Sequence, residues 1–182
     1  MVGIRKQNAF LFLVIFLFAC TSAFAQARVA GLTSVRTSDS LVEIRDKRRA
    51  LLVVFRSRVV DASGNERAII DDVLRADPRP RGRFRRVYTM IGRKLDRYKH
   101  KYQSLFPAEG LADADYVIYF NVLEFRKILD RPYPYGELFV IVKGSPESAK
   151  PPRVVWRSNK ALFAEDAIGN LLKELKAIRG EN

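Results

Sequence analysis

The sequence predicts an α+β fold: a largely antiparallel sheet of about four strands with two amphipathic helices packed on one face. Three observations predict it. Phe84, Val87, Ile91, Leu95, Tyr98, Tyr102 and Leu105 recur at three- and four-residue steps, the repeat of one helix face. Ala167, Ile168, Leu171, Leu172, Leu175 and Ile178 line a second helix near the C-terminus. Between the two lie three runs dense in β-branched and aromatic residues, with no helical period separating them, so an antiparallel meander is expected. Both amphipathic helices need an apolar surface, and one face of that sheet supplies it.

The chain opens with an address. Arg5 and Lys6 precede an apolar run over residues 9–20, and Ala23-Phe24-Ala25 ends in the small-residue pattern that signal peptidase cuts. Residues 1–25 are therefore read as a signal peptide, because the run is shorter than the about 20 apolar residues a membrane span needs. The rival reading is Leu17-Phe18-Ala19-Cys20, which resembles a lipobox and would leave the protein lipid-anchored through Cys20. Simple cleavage is the expectation, giving an exported protein, periplasmic or secreted. Cys20 is the chain's single cysteine, so cleavage after Ala25 leaves no thiol to staple the fold.

Residues 26–49 show no sustained period and read as a tether or irregular arm, with a short strand at Leu41-Val42-Glu43-Ile44. The domain proper is expected over residues 50–182, one unit at this length. It begins with the strand Leu51-Leu52-Val53-Val54-Phe55, extending towards Val60. Asp61 to Asn65 reads as a turn. Residues 67–74 fit a second strand or a short helix equally. Asp77-Pro78-Arg79-Pro80-Arg81-Gly82 is a loop, since each proline biases its predecessor out of the helical region. The long helix follows over about 22 residues, roughly 33 Å, until Pro107 and Gly110 stop it. Gly92 is a blemish in it, costing about 1 kcal/mol relative to alanine. Residues 116–123 form a central strand, 130–136 a connection, and 138–142 the next strand. Residues 144–152 form a loop, and a strand begins at Val154-Val155-Trp156. The last helix has Glu165 and Asp166 at its start, basic residues towards its end and Gly180 as its stop, all suited to the helix dipole and its cap.

Charge is the unusual property. The formal net charge is +13, with 33 Lys and Arg against 20 Asp and Glu. Residues 79–101 hold ten basic residues against a single acid, Asp96. On the long helix Arg86, Arg93 and Arg97 fall opposite the apolar stripe, with Lys94 and Lys101 on its flank. Arg79, Arg81, Arg83 and Arg85 extend this face at the helix start. Such a face is either an ordinary solvated helix surface or a site for an anionic partner. The functional candidates are Arg79, Arg81, Arg83, Arg85, Arg86, Arg93, Lys94, Arg97 and Lys101. For an exported chain the partners are an envelope protein or an anionic lipid or polymer surface. Export argues against nucleic acid, and no nucleic-acid motif is present.

Chemistry is otherwise sparse. One histidine and one cysteine exclude a His/Cys zinc cluster. No phosphate-binding Gly-rich loop or nucleophile elbow occurs, and no metal or cofactor is expected. His100, between Lys99 and Lys101, reads as an exposed helix residue. Asp113 and Asp115 read as strand-opening residues, and Glu124 and Asp130 as solvent-exposed. Tyr133 and Tyr135 are candidate exposed aromatic contacts, whereas Trp156 belongs to the core.

Ala112-Asp113-Ala114-Asp115-Tyr116-Val117-Ile118, Gly136-Glu137-Leu138-Phe139-Val140 and Val154-Val155-Trp156-Arg157, followed by a closing helix, resemble bacterial envelope lipoproteins. The group is that around the curli-secretion channel subunit and the activators of penicillin-binding proteins, with related uncharacterised exported domains. The resemblance spans roughly residues 84–180. It implies a small α+β domain that binds other envelope components, and carries over no residue role. The acidic Thr-Gly turn of those families is absent, and residues 143–152 are longer and proline-rich. The expectation is a non-enzymatic binding or structural protein of the cell envelope. The alternatives are a hydrolase or transferase using a carboxylate such as Asp115 or Glu124, and an exported nucleic-acid binder.

Overall fold

Leu51 and Val53 point to one side of their strand and Leu52 and Val54 to the other, and all four are buried. A strand apolar on both faces needs cover on both. The computed structural model, which describes residues 38–57, 65–144, 150–161 and 163–181, supplies it with helices above and below the sheet. The elements are helix α1 (Ser38–Leu41), a 3-10 turn (Val42–Ile44), β1 (Arg49–Phe55), α2 (Glu66–Arg75), α3 (Arg83–Tyr102), β2 (Phe106–Pro107), β3 (Tyr116–Ile128), β4 (Arg131–Val142), β5 (Arg153–Arg157) and α4 (Ala164–Arg179). Residues 1–25, with Cys20 and the cleavage site, lie outside the described residues, as does most of the turn expected at 61–65.

The fold is α+β, but its sheet is mixed and five-stranded, in the order β2-β1-β3-β4-β5. β1 runs parallel to both β2 and β3, and only β3-β4-β5 form the expected antiparallel meander. The correction has a physical cause. The chain between β1 and β3 contains α2 and α3, and a helical crossover returns the next strand in the same direction. Asp115 pins the arrangement: its Oδ2 accepts the backbone N–H groups of Arg48 at 3.0 Å and Arg49 at 2.8 Å. That carboxylate places the start of β3 beside the start of β1, and Ala50 pairs with Tyr116.

The two expected amphipathic helices do share one face, but a third helix covers the other. α3 and α4 pack Val87, Ile91, Leu95, Tyr98, Ile168, Leu171 and Leu175 against Leu52, Val54, Ile118, Phe120, Leu138 and Val140. α2 buries Ile69, Ile70 and Val73 on the opposite face, against Leu51, Val53, Val117, Tyr119, Phe139 and Ile141. Residues 67–74 are thus helical. Their β-branched content suits a strand, yet the bare second face of a sheet buried on both sides needs a helix.

Leu41 to Ile44 form helical turns rather than a strand, and Leu41 and Ile44 are wholly buried on the α3–α4 face. Arg179 fastens these turns: its guanidinium donates to the carbonyls of Ile44 (3.3 Å), Lys47 (2.6 Å) and Ser104 (3.0 Å). α3 ends at Tyr102 because Gln103 takes the left-handed conformation, φ 52°, and Leu105 is buried beyond the helix. Of the stretch 130–136 only Asp130 is turn; the rest is strand, since β4 opens at Arg131. Pro132 and Pro134 fit there because that part of β4 pairs only with β3 among the described residues, so their missing N–H groups cost no hydrogen bond on the open side. Trp156 is buried, and its Nε1 donates to Glu174 at 2.9 Å.

Candidate anionic-surface binding site

The basic stretch starts in the loop before α3. Asp77 Oδ1 accepts the Arg79 N–H at 2.9 Å, a local turn that sets the loop's direction. Gly82, at φ 56°, then reverses the chain into the helix, a conformation glycine adopts without strain. The first turn of α3 holds Arg83, Arg85 and Arg86 and no acid. That is the wrong sign for a helix N-terminus, where cations cost about 0.3–1 kcal/mol each. Helix stability therefore does not account for three arginines there.

Along α3 the buried stripe Val87, Ile91, Leu95 and Tyr98 fixes the rotation of the helix on the sheet. Arg85, Arg86, Arg93, Arg97 and Lys101 are consequently exposed and Lys94 half-buried. Among the described residues none of these six forms an ion pair. Lys101 Nζ lies 4.9 Å from the Tyr102 ring centroid, and the Arg83 guanidinium 5.0 Å from that of Phe125. Arg81 pairs with Asp77 at 3.7 Å, with both side chains more than half exposed, a geometry worth little in water. The helix thus carries a row of uncompensated cations on its solvent side.

Arg79 and Arg81 belong to a separate feature. They line an open cleft of about 420 Å³ with Arg56, Arg75, Asp72 and Phe55, beside the carboxyl end of β1. Arg56 and Arg75 were not legible as partners of this loop, because they come from the end of β1 and the last turn of α2. Asp72 in the cleft wall accepts the Ser57 hydroxyl at 2.7 Å. The nine basic candidates therefore divide, with Arg79 and Arg81 at the cleft and the other seven along α3.

A second group went unnoticed in the sequence. Glu137 is 2% exposed, accepts from Arg157 at 2.7 Å and lies 3.9 Å from Lys160. Its neighbour across the strands is the buried Asn121, whose Oδ1 accepts the Ser57 N–H at 3.1 Å. The available signal was phase: Glu137 alternates with Phe139 and Ile141, so it faces the α2 side of the sheet with them.

No protein-family profile matches the chain, and no curated protein matches it. Among solved structures, the dodecamer of a PelC variant from Paraburkholderia phytofirmans is similar at 15% identity with a TM-score of 0.38, over 72% of this chain and 88% of that one. A likeness so slight carries no residue role and no assembly state to this chain.

The carboxylates weighed for catalysis are far apart. Asp115 is occupied by two backbone amides, and Glu124 lies nine strand residues further on, roughly 30 Å away. Glu124 pairs with Arg126 at 2.5 Å. His100 is exposed. Tyr133 and Tyr135 are half-buried, the first edge-on to Phe163 at 5.3 Å and the second beneath Arg126 at 3.6 Å. Among the described residues no cluster of His, Cys, Asp or Glu could hold a metal ion, and no helix is long and apolar enough to cross a membrane.

Proposed function

We propose that this chain is an exported, non-enzymatic binding protein of the cell envelope that contacts an anionic surface through the solvent face of α3. The observation that carries the reading is the row of Arg85, Arg86, Arg93 and Arg97, turned away from the sheet, with Lys94 half-buried on its flank, all five unpaired among the described residues. Acids elsewhere in the fold pair with other partners, as Glu137 does with Arg157 and Glu43 with Arg153. Each cation at an anionic surface contributes about 1 kcal/mol, so five together give binding that is strong at low salt and weak at high salt. The three arginines at the helix N-terminus support the reading further, since they oppose the macrodipole.

Sedimentation with vesicles of neutral lipid, and of neutral lipid mixed with phosphatidylglycerol, tests it over a salt series. Binding is expected only to the anionic vesicles and should fall steeply as salt rises. The triple variant Arg93→Glu, Lys94→Glu, Arg97→Glu should bind at least about ten-fold more weakly. Equal binding to both vesicle types, or an unaffected triple variant, removes the proposal.

A further inference from the structure

The hairpin joining β3 to β4 ends in a residue that its backbone disfavours. Leu129 and Asp130 both have positive φ, 47° and 60°. Two successive positive φ values in a two-residue loop form the geometry that Asn-Gly or Asp-Gly ordinarily fills. Here the first place holds a leucine that is 93% exposed, far more than any other large hydrophobic side chain among the described residues. Neither local conformation nor packing within the fold rewards leucine at that place.

The hairpin also projects. From Glu124 opposite Tyr135 to Ile128 opposite Arg131, five rows of the ribbon pair only with each other among the described residues. Its root is braced: Phe125 meets Phe84 at 5.9 Å, at the N-terminal end of α3, and Tyr133 meets Phe163 at 5.3 Å. Leu129 stands four residues beyond Phe125, about 13 Å of strand. Lys127 and Arg131 flank the turn, exposed and without ion pairs among the described residues, while Asp130 is the acid of the turn itself. Behind them, at the root, are Arg83, Arg85 and Arg86 of the first turn of α3.

We infer that this hairpin is a membrane anchor. Leu129 enters the acyl region of an anionic leaflet, while Lys127, Arg131 and the first-turn arginines of α3 lie among the headgroups. The inference rests on the proposed function and narrows its anionic surface to a lipid bilayer. A soluble polyanion satisfies the cations equally well but offers nothing to an aliphatic tip. A surface with negative charge outside and hydrocarbon beneath matches both features.

The test uses Leu129→Asn, which relieves the backbone and so leaves the fold intact. Binding to phosphatidylglycerol-containing vesicles should weaken about ten-fold or more, the worth of one buried aliphatic side chain. Binding to inorganic polyphosphate should stay within about two-fold. In Leu129→Trp, tryptophan fluorescence should shift to the blue on adding anionic vesicles, over the constant signal of buried Trp156. Vesicle affinity of Leu129→Asn within about two-fold of the unaltered protein, or no blue shift, overturns the anchor. If the Arg93, Lys94, Arg97 reversal still weakens both ligands in that case, the basic-face reading survives without it. If the reversal has no effect while Leu129→Asn does, the basic-face reading falls and the bilayer contact is left to the hairpin, with Lys127, Arg131 and the first-turn arginines as its only cations.

Discussion

Gly136 shows how a single residue constrains the sheet. A Cβ built on it would lie 2.1 Å from the Asn121 carbonyl oxygen, so the two backbones meet where no side chain fits. Gly136 also exchanges two hydrogen bonds with Ala161, at 3.0 Å and 2.8 Å, which ties the segment after β5 back to β4. Beside it, the buried Glu137 holds Arg157, and Arg157 in turn lies 5.3 Å from the Phe139 ring centroid. Gly136→Ala should therefore destabilise the protein by more than about 2 kcal/mol, because a backbone atom rather than a mobile side chain must move. Urea unfolding of the two proteins measures this, and a loss below about 0.5 kcal/mol contradicts the close approach. The sequence places Gly136 only at the end of a proline-bearing connection. Its role comes from a strand 15 residues away, and local pattern does not encode that meeting.

At the scale of elements, long periodic segments were legible and short or crossing ones were not. The α3 stripe specifies its buried face, because five turns of consistent spacing suit no other structure, but it overran the end of the helix: Leu105 fits the period and is buried beyond Tyr102. β3, β4 and α4 were legible for the same reason, with Gly180 closing α4 at φ 66° as expected. α2 was not, since ten residues containing Ile69, Ile70 and Val73 satisfy either period. β1's direction was hidden as well: parallel pairing is set by where a crossover returns the chain, which no local run records. The outer half of the hairpin was masked by Pro132 and Pro134, which read as breakers, yet with no outer strand beside them among the described residues they cost nothing. The basic row on α3 was legible as a helical face, whereas the cleft joining Arg56 and Arg75 to Arg79 and Arg81 needed three elements to meet. Gly92 gives this scale its own test. It faces a small pocket of about 140 Å³ between α3 and the β1–β2 edge, and a Cβ there would meet nothing within 4 Å. Gly92→Ala should raise stability by about 1 kcal/mol through helix propensity alone. A destabilised variant in thermal or urea melts would mean that the helix backbone at this point depends on glycine.

The whole molecule combines a strongly cationic surface with tyrosines sealed on both sides of its sheet. Tyr116 is wholly buried on the α3–α4 face and Tyr119 on the α2 face. Among the described residues neither hydroxyl has a partner in good hydrogen-bond geometry, though Arg179 lies near the first and Ser57 near the second. Burial pushes Tyr116 up to about 12, with the Arg179 charge opposing, and pushes Tyr119 higher still. Tyr98 on α3 is also raised, first by burial and then by its hydrogen bond to the Glu181 carboxylate. Tyr102, beside Lys101 and Lys176, is lowered instead. A tyrosine is neutral when protonated, so a raised value in the fold means that the unfolded chain releases its proton first. The stability these groups contribute is intact below the unfolded value of about 10 and drains away as pH rises towards 12. Loss of lysine charge in the same range relieves self-repulsion and works the other way, but most of the cations that line the basic face are arginines, which keep theirs. An alkaline titration followed by tyrosinate absorbance and far-ultraviolet circular dichroism should therefore be biphasic. Tyr102, lowered by its lysine neighbours, ionises first with the fold intact. Tyr98, Tyr116 and Tyr119 ionise later, in one steep step that coincides with loss of the dichroism signal. Ionisation of Tyr98, Tyr116 and Tyr119 near pH 10 with unchanged dichroism would mean that water reaches both faces of the sheet, and the two-sided packing would be wrong.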